Sequence, residues 1–438
     1  MQKFNCDKRN LATLDRGHDD GLIKGAAHTE APNKTTKCPL SGSSMNKVGQ
    51  FDDPFSLLRQ NHGVLDIDDQ GDPVKMVLGL KEVRKAAHNW TLFQSGAQPG
   101  RIVVPSEVAI RDIRQIPFEV DPPLHKSFRR LLEPWFKRPS SQAYQDKLVE
   151  IVDEMLNKLL DGDLNTEKHG YYDGVNDIAL VLQSRALSVL LNVPMTEAKT
   201  WISWGTHVFR SADNPLDADK ANLLYDYLDA QIQKAKSAPS DDIYSVLLNA
   251  KIDGKALSDE EIKGIMVLTF AGGRDTVINS LTNTLAYFSD NPDDLNFIHQ
   301  HPEYLNTAVE ELFRYFSPLT HMGRVATASG EAANQTIPHD SRISLCWASA
   351  NRDETVFDAP NTLDLTRKAN PHVAFGFGVH NCLGATHARA LMRIWVKKLA
   401  QRVAEIEVVE AKENIETWGN VKRKVGFHTL LVRLTKRS

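Results

Sequence analysis

Cys382 lies in Phe375-Gly376-Phe377-Gly378-Val379-His380-Asn381-Cys382-Leu383-Gly384, a glycine-rich loop flanked by aromatic residues. Glycines at 376, 378 and 384 let the backbone turn tightly, approach a flat ligand and aim N–H groups at the sulfur. A lone cysteine is usually inert packing, but this ten-residue pattern reads as the thiolate ligand of a haem iron. A thiolate favours O–O cleavage, so the ligand points to oxygen activation rather than oxygen carriage. Two other groupings can do chemistry. In Ala271-Gly272-Gly273-Arg274-Asp275-Thr276 an acid stands beside an alcohol, the pair needed to deliver protons in a dry pocket. In Glu311-Leu312-Phe313-Arg314 the spacing puts both charges on one helix face.

These groups need elements to hold them. Ser258-Asp259-Glu260-Glu261 has the form of a capping box, and the apolar spacing after it predicts one helix to about Phe288. At about 30 residues it would be ~45 Å long and cross the molecule. Adjacent glycines cost about 1 kcal/mol each in a helix interior, so Gly272 and Gly273 need a reason. From Pro139 to Asn291 apolar residues recur at three and four positions, as in Leu148, Ile151, Val152, Met155 and in Leu182, Leu187, Leu190, Leu191. Val64–Ile67 and Lys75–Leu78 predict paired strands across Gln70-Gly71. The fold class is therefore mainly α with a small β part.

Of the 438 residues 41% are hydrophobic and 25% charged, enough for a large core. A net charge of -4 argues against general nucleic-acid affinity. No run approaches the length and apolarity of a membrane span and the first residues open no secretory core, so a cytoplasmic protein without a membrane anchor is expected. Four scattered cysteines indicate neither a disulfide framework nor a zinc site. Residues 1–47 are polar and aperiodic and are read as a flexible extension.

The cysteine loop resembles the haem-binding signature of the cytochrome P450 family, the haem-thiolate monooxygenases. Glu311 and Arg314 match the family's Glu-x-x-Arg pair, Arg367 falls where its third partner is found, and Asn351-Arg352-Asp353 and Asn370-Pro371-His372 follow in family order. The resemblance implies the P450 fold as a single catalytic domain over 48–438, haem b as cofactor and Cys382 as the iron ligand. Phe375, Gly376, Gly378 and Gly384 would form the loop around the haem. It implies propionate-binding roles for His125, Arg129, Arg324 and His380, and a structural role for Glu311, Arg314 and Arg367. The family's distal element matches Gly272 to Thr276: Thr276 would hydrogen-bond the iron-bound oxygen and hold a water while Asp275 relays protons. Arg274 is expected to face away into solvent, the other option being an ion pair with Asp275. His387 stands where the family commonly has Leu.

Arg389, Arg393 and Lys397 recur every four residues behind the thiolate, and Lys126 and Arg130 could extend this basic stripe. A separate acidic ferredoxin and its reductase are the expected electron source, since too little chain follows Cys382 for a fused flavin domain. The expected pocket walls are residues 94–118, 201–213, 268–276, 318–322 and 418–427. Their polar members Gln94, Ser95, Gln98, Arg101, Thr320, His321 and Asn420 favour a small hydrogen-bonding substrate. Trp418 to Gly426 is loosely similar to the same region of bacterial O-demethylating members. Oxidative O-demethylation follows as the expected reaction, with a methylated sugar such as 6-O-methyl-D-galactose as substrate and methoxy-aromatics next. Carbon hydroxylation of a terpenoid, aromatic or other apolar molecule is the alternative. A peroxide-driven peroxygenase would not need Asp275 and Thr276, and a non-catalytic haem sensor would leave them idle.

Overall fold

A computed structural model of the chain describes residues 47–161, 170–211 and 216–438. The expected extension, 1–47, lies outside them except for Lys47. The helices that build and surround the site are α1 (Leu124–Phe136), α2 (Gln142–Asp161), α3 (Leu180–Leu191), α4 (Glu197–Ser203), α5 (Ala218–Ser237), α6 (Asp259–Gly272), α7 (Asp275–Asp290), α8 (Leu305–Phe316) and α9 (Ala385–Arg402). The apolar faces read from the three-four spacing of α2 and α3 are buried together with residues of α6 to α9 in one large core.

The strands are β1 (Val64–Asp69), β2 (Asp72–Val77), β3 (Phe93–Gln94), β4 (Tyr172–Asp173), β5 (His321–Ala326), β6 (Arg342–Cys346), β7 (Val403–Trp418) and β8 (Val421–Lys436). One sheet has the order β1-β2-β6-β5-β3, with β2 and β6 parallel and the other neighbours antiparallel. A second runs β7-β8-β4. Gln70 and Gly71 join β1 to β2 with φ of 60° and 89°, the two left-handed residues that a tight hairpin with the strands' own twist requires.

Two sequence expectations are corrected. The stretch Gly174–Leu191 does have the length and apolarity of a membrane span, but 72% of it is buried within the protein, where its apolar residues serve the core. The helix expected from Asp259 to about Phe288 is broken. Ser258 and Glu261 form the reciprocal cap, with Glu261 N donating to Ser258 Oγ at 3.1 Å and Ser258 N to Glu261 Oε2 at 2.8 Å. α6 then stops at Gly272, because Gly273 (ψ 12°) and Arg274 (ψ -81°) leave the helical path before α7 begins. Carbonyls released by the break find side-chain donors: Gln183 Nε2 reaches Gly273 O at 2.9 Å and Thr276 Oγ1 reaches Gly272 O at 3.1 Å.

α8 is the element against which the cysteine loop is built. Glu311 is fully buried and accepts from Arg314 Nε and Nη2 at 2.7 Å each, from Arg367 Nε at 3.0 Å, from Asp364 N at 2.9 Å and from Asn370 Nδ2 at 3.1 Å. Arg314 spends its other donors on the carbonyls of Asn351, Pro360 and Thr362. The carboxylate thus fixes the irregular segment 351–370 that leads to Cys382. Removing one partner of such a cluster strands a buried charge, so Glu311→Ala should cost about 3–5 kcal/mol. Urea unfolding tests this, and an unchanged midpoint would contradict it.

Candidate active site

The cysteine loop and the break between α6 and α7 line one cavity of about 890 Å³, near the upper end of the roughly 300–1,000 Å³ usual for small-molecule sites. Gly376 and Gly378 have φ of 74° and 76°, and a Cβ on Gly378 would come within 2.7 Å of Ala87 O. Gly384 has no such need, with φ at -82°. The loop closes through Cys382 N donating to Phe375 O at 2.7 Å. N–H groups of Gly384 and Ala385 point at the sulfur, and Ala385 opens α9, whose positive end also favours a thiolate. Cys382 is exposed to the cavity, whose enclosing walls nonetheless raise the thiol above its usual range. A sulfur so placed is suited to give up its proton to a metal cation.

At one end of the cavity basic side chains crowd together. His125 and Arg129 come from successive turns of α1, Arg324 from β5 and His380 from the loop itself. The two imidazole rings lie 4.4 Å apart, and each Nδ1 is buried without a partner. Arg324 bonds the carbonyl of Gly323 at 2.6 Å, and burial lowers its guanidinium to about 10. His125 is lowered to about 4 by burial and then by His380 and Arg129. The nearby carboxylate, Asp121, already accepts from Ser95 N, Gly96 N and His380. Basic groups gathered in this way, two of them with an unpartnered Nδ1, fit the two carboxylates of a haem. Arg129 also ties α1 to the loop, donating to Asn381 O at 2.9 Å.

On the opposite side stand Asp275 and Thr276, both in the cavity wall. Burial raises the Asp275 carboxyl, opposed by Arg210. His207 Nε2 is 4.0 Å from Asp275 Oδ2. Phe209 N donates to His207 Nδ1 at 3.0 Å, which leaves the imidazole proton on Nε2 facing the acid. Arg274 is not in solvent and makes no ion pair with Asp275: it is buried, 1% exposed, and donates to the carbonyls of Trp201 and Gly205 at the end of α4. The free carbonyls and negative dipole end of that helix attract the cation inward.

The walls differ from those expected. Thr320 and His321 line the cavity, whereas Gln94, Ser95, Gln98, Arg101 and Asn420 do not. Arg101 instead pairs with Asp340 at 2.6 Å, and Trp418 packs on Phe55 with ring centroids 5.9 Å apart. The sequence reading missed Lys412, Asn414 and Glu416, which project into the cavity from alternate positions of β7. Their period of two was the available signal. His207 and Arg210 fall in an expected wall, 201–213, without having been singled out.

Behind the thiolate, Arg389 is already engaged. It forms a two-pronged pair with Glu310 at 2.7 and 2.8 Å, and its guanidinium lies 4.3 Å from the Phe375 ring centroid. Lys126, Arg130 and Lys397 are exposed and Arg393 partly so. His387 is buried against Tyr144, with Nδ1 2.8 Å from the phenol oxygen, and burial lowers it to about 4. It is therefore neutral at pH 7 and can replace an apolar side chain without adding a buried charge.

Comparison with known proteins agrees with this architecture. The cytochrome P450 family model matches residues 175–424. A cytochrome P450 of Bacillus subtilis (strain 168) is 30% identical, over 68% of this chain and 73% of its own. Linalool 8-monooxygenase of Pseudomonas putida is 28% identical over 81% of this chain and 89% of its own. A solved structure described as a carbohydrate active P450 matches with a TM-score of 0.86 and 54% identity, covering 90% of this chain and 100% of that one. With a cysteine loop, a cation-rich end and a broken helix around one cavity, the chain belongs to the cytochrome P450 family of monooxygenases, whose cofactor is haem b.

Proposed function

We propose that this monooxygenase O-demethylates a small polar methoxy compound, with 6-O-methyl-D-galactose the leading candidate and methoxy-aromatics next. The observation that carries the reading is the distal wall, where His207, Arg210, Thr320, His321, Asn414 and Glu416 all reach the cavity that Cys382 opens into. A pocket for terpenes or fatty chains has few such groups. The 54% identity to a protein described as carbohydrate active supports the same substrate class.

Cys382 would hold haem b, with His125, Arg129, Arg324 and His380 as the partners for its propionates, and the cofactor would supply the reductive activation of dioxygen. The residues of this chain supply the rest. Thr276 Oγ1, whose proton goes to Gly272 O in this structure, keeps acceptor capacity for a water in the cavity. Asp275, whose carboxyl burial holds above its usual range, relays protons, and His207 Nε2–H faces it as the neighbouring donor. Val103, Ile116, Phe118 and Leu268 exclude bulk water from the same space. In the overall reaction one oxygen atom of O2 enters the methoxy C–H bond and the other leaves as water, consuming two electrons and two protons. The resulting hemiacetal collapses to an alcohol and formaldehyde.

Bacterial members of the family draw electrons from redox partner proteins. For this chain we assign that role to a separate ferredoxin and reductase. Lys126, Arg130, Arg393 and Lys397 form the docking face, with Arg389 withdrawn into its pair with Glu310. The apolar arc of the cavity favours a second reading, hydroxylation of an apolar compound, and linalool 8-monooxygenase is a relative of that kind.

Purified protein supplied with a surrogate ferredoxin, its reductase and NADPH should release formaldehyde in step with NADPH use on a methylated sugar. No release, together with hydroxylated terpenes, would establish the second reading instead. Thr276→Ala should keep substrate binding and NADPH oxidation but lose most of the coupling to formaldehyde. Asp275→Asn should slow turnover on the order of 100-fold. Because burial raises the Asp275 pKa, its acid form is lost as pH rises through that value, so wild-type turnover should fall on the alkaline side and the Asn variant should lack that limb. A fully coupled Thr276→Ala enzyme would contradict the assignment.

A further inference from the structure

Glu416 occupies a position in the cavity that the proton chemistry does not use. It lies on β7, and the alternate residues Asn414 and Lys412 line the cavity beside it. Behind it, Arg423 and Thr320 are buried, 6% and 1% exposed. Arg423 Nη1 donates to Thr320 Oγ1 at 2.7 Å, while Nη2 donates to the carbonyls of Ser317 (3.0 Å) and Phe316. With a lone pair of Thr320 taken by the guanidinium, the hydroxyl proton is free for Glu416 Oε2, its acceptor in this structure. The chain Arg423, Thr320, Glu416 is a polarised series in which each bond strengthens the next.

That series sets what the cavity sees. Glu416 Oε2 is committed to Thr320, and among the described residues Oε1 has no hydrogen-bond donor and Glu416 pairs with no lysine or arginine. A carboxylate oxygen only accepts. Glu416 lines the same cavity as Asp275, the acid at the helix break. An apolar occupant would shut out water and leave Oε1 without a partner, and an anionic group placed against it would be repelled. A hydroxyl-bearing occupant supplies the missing donor through a charge-assisted hydrogen bond.

We propose that Glu416 determines specificity: its carboxylate, oriented by Thr320 and Arg423, accepts a substrate hydroxyl and selects a polyol over an apolar compound. This rests on the reading of the protein as acting on a polar methoxy substrate and names the residue that enforces it. A site built to bond a hydroxyl rejects analogues lacking it far more strongly than a greasy pocket rejects a missing methylene.

The test is optical titration of the haem-loaded full chain with 6-O-methyl-D-galactose, each of its monodeoxy derivatives and a terpene hydrocarbon. Glu416→Leu should weaken sugar binding about 10- to 100-fold, the worth of one hydrogen bond to a charged acceptor. The isosteric Glu416→Gln should weaken it by less, and terpene binding should hold or tighten in both. One deoxy sugar should bind wild type poorly yet bind Glu416→Leu as well as the parent sugar does. This pattern identifies a contact, which a merely loosened hairpin would not reproduce. An unchanged reduced carbon monoxide spectrum certifies the fold of each variant. Sugar binding by wild type and both variants with equal affinity would overturn the inference and leave the O-demethylase reading standing. Binding of no methylated sugar by wild type would overturn that reading and this inference together.

Discussion

One buried carboxylate holds the catalytic half of the protein in shape. Glu311 takes hydrogen bonds from Arg314 on its own helix and from Arg367, Asp364 and Asn370 on the irregular segment that precedes the cysteine loop. Its neighbours on α8 continue the grip. Glu310 holds His372 and Arg389, and the Phe313 ring packs on Phe375 with centroids 4.8 Å apart. Asn351 completes it, accepting from Val373 N at 2.7 Å. A ligand loop without regular secondary structure loses much conformational entropy on folding, and this polar framework holds it in one arrangement.

The cavity is left electrostatically incomplete at both ends. Around Arg324, His125 and His380 the chain gathers basic groups whose pKa values fall chiefly because burial disfavours their charged forms, with Asp121 offsetting only part of the effect. A haem with two carboxylates completes that end. At the helix break the carbonyls freed by Gly272 and Gly273 are claimed by Thr276 and Gln183, and Arg274 is drawn into the end of α4. The distortion is therefore fixed by tertiary partners. It leaves Asp275 raised by burial and Thr276 at the surface of a cavity of about 890 Å³.

Much of this was written locally in the chain. The cysteine loop, the Ser258–Glu261 cap and the Glu311–Arg314 spacing are short-range patterns whose chemistry does not depend on distant residues, and the structure forms each of these elements. Features that depend on tertiary partners were not legible. Two glycines announced a cost in the long helix, but nothing local said that Gln183 and Arg274 would hold it open. Arg274 was expected in solvent because a lone arginine usually is, and the free carbonyls of Trp201 and Gly205 reversed that. The wall from β7 was hidden because a long, half-exposed strand of mixed charge reads as surface, and only the cavity shows that its alternate residues share a face.

The central claim is that the polar cavity presents a methoxy carbon, rather than a ring or chain carbon, to the oxidant. Turnover of 6-O-methyl-D-galactose bearing a trideuteromethyl group, with mass analysis of both products, tests it most directly. Dideuterated formaldehyde and label-free galactose are expected in equal amounts. A ring-hydroxylated sugar that keeps its trideuteromethyl group would contradict it.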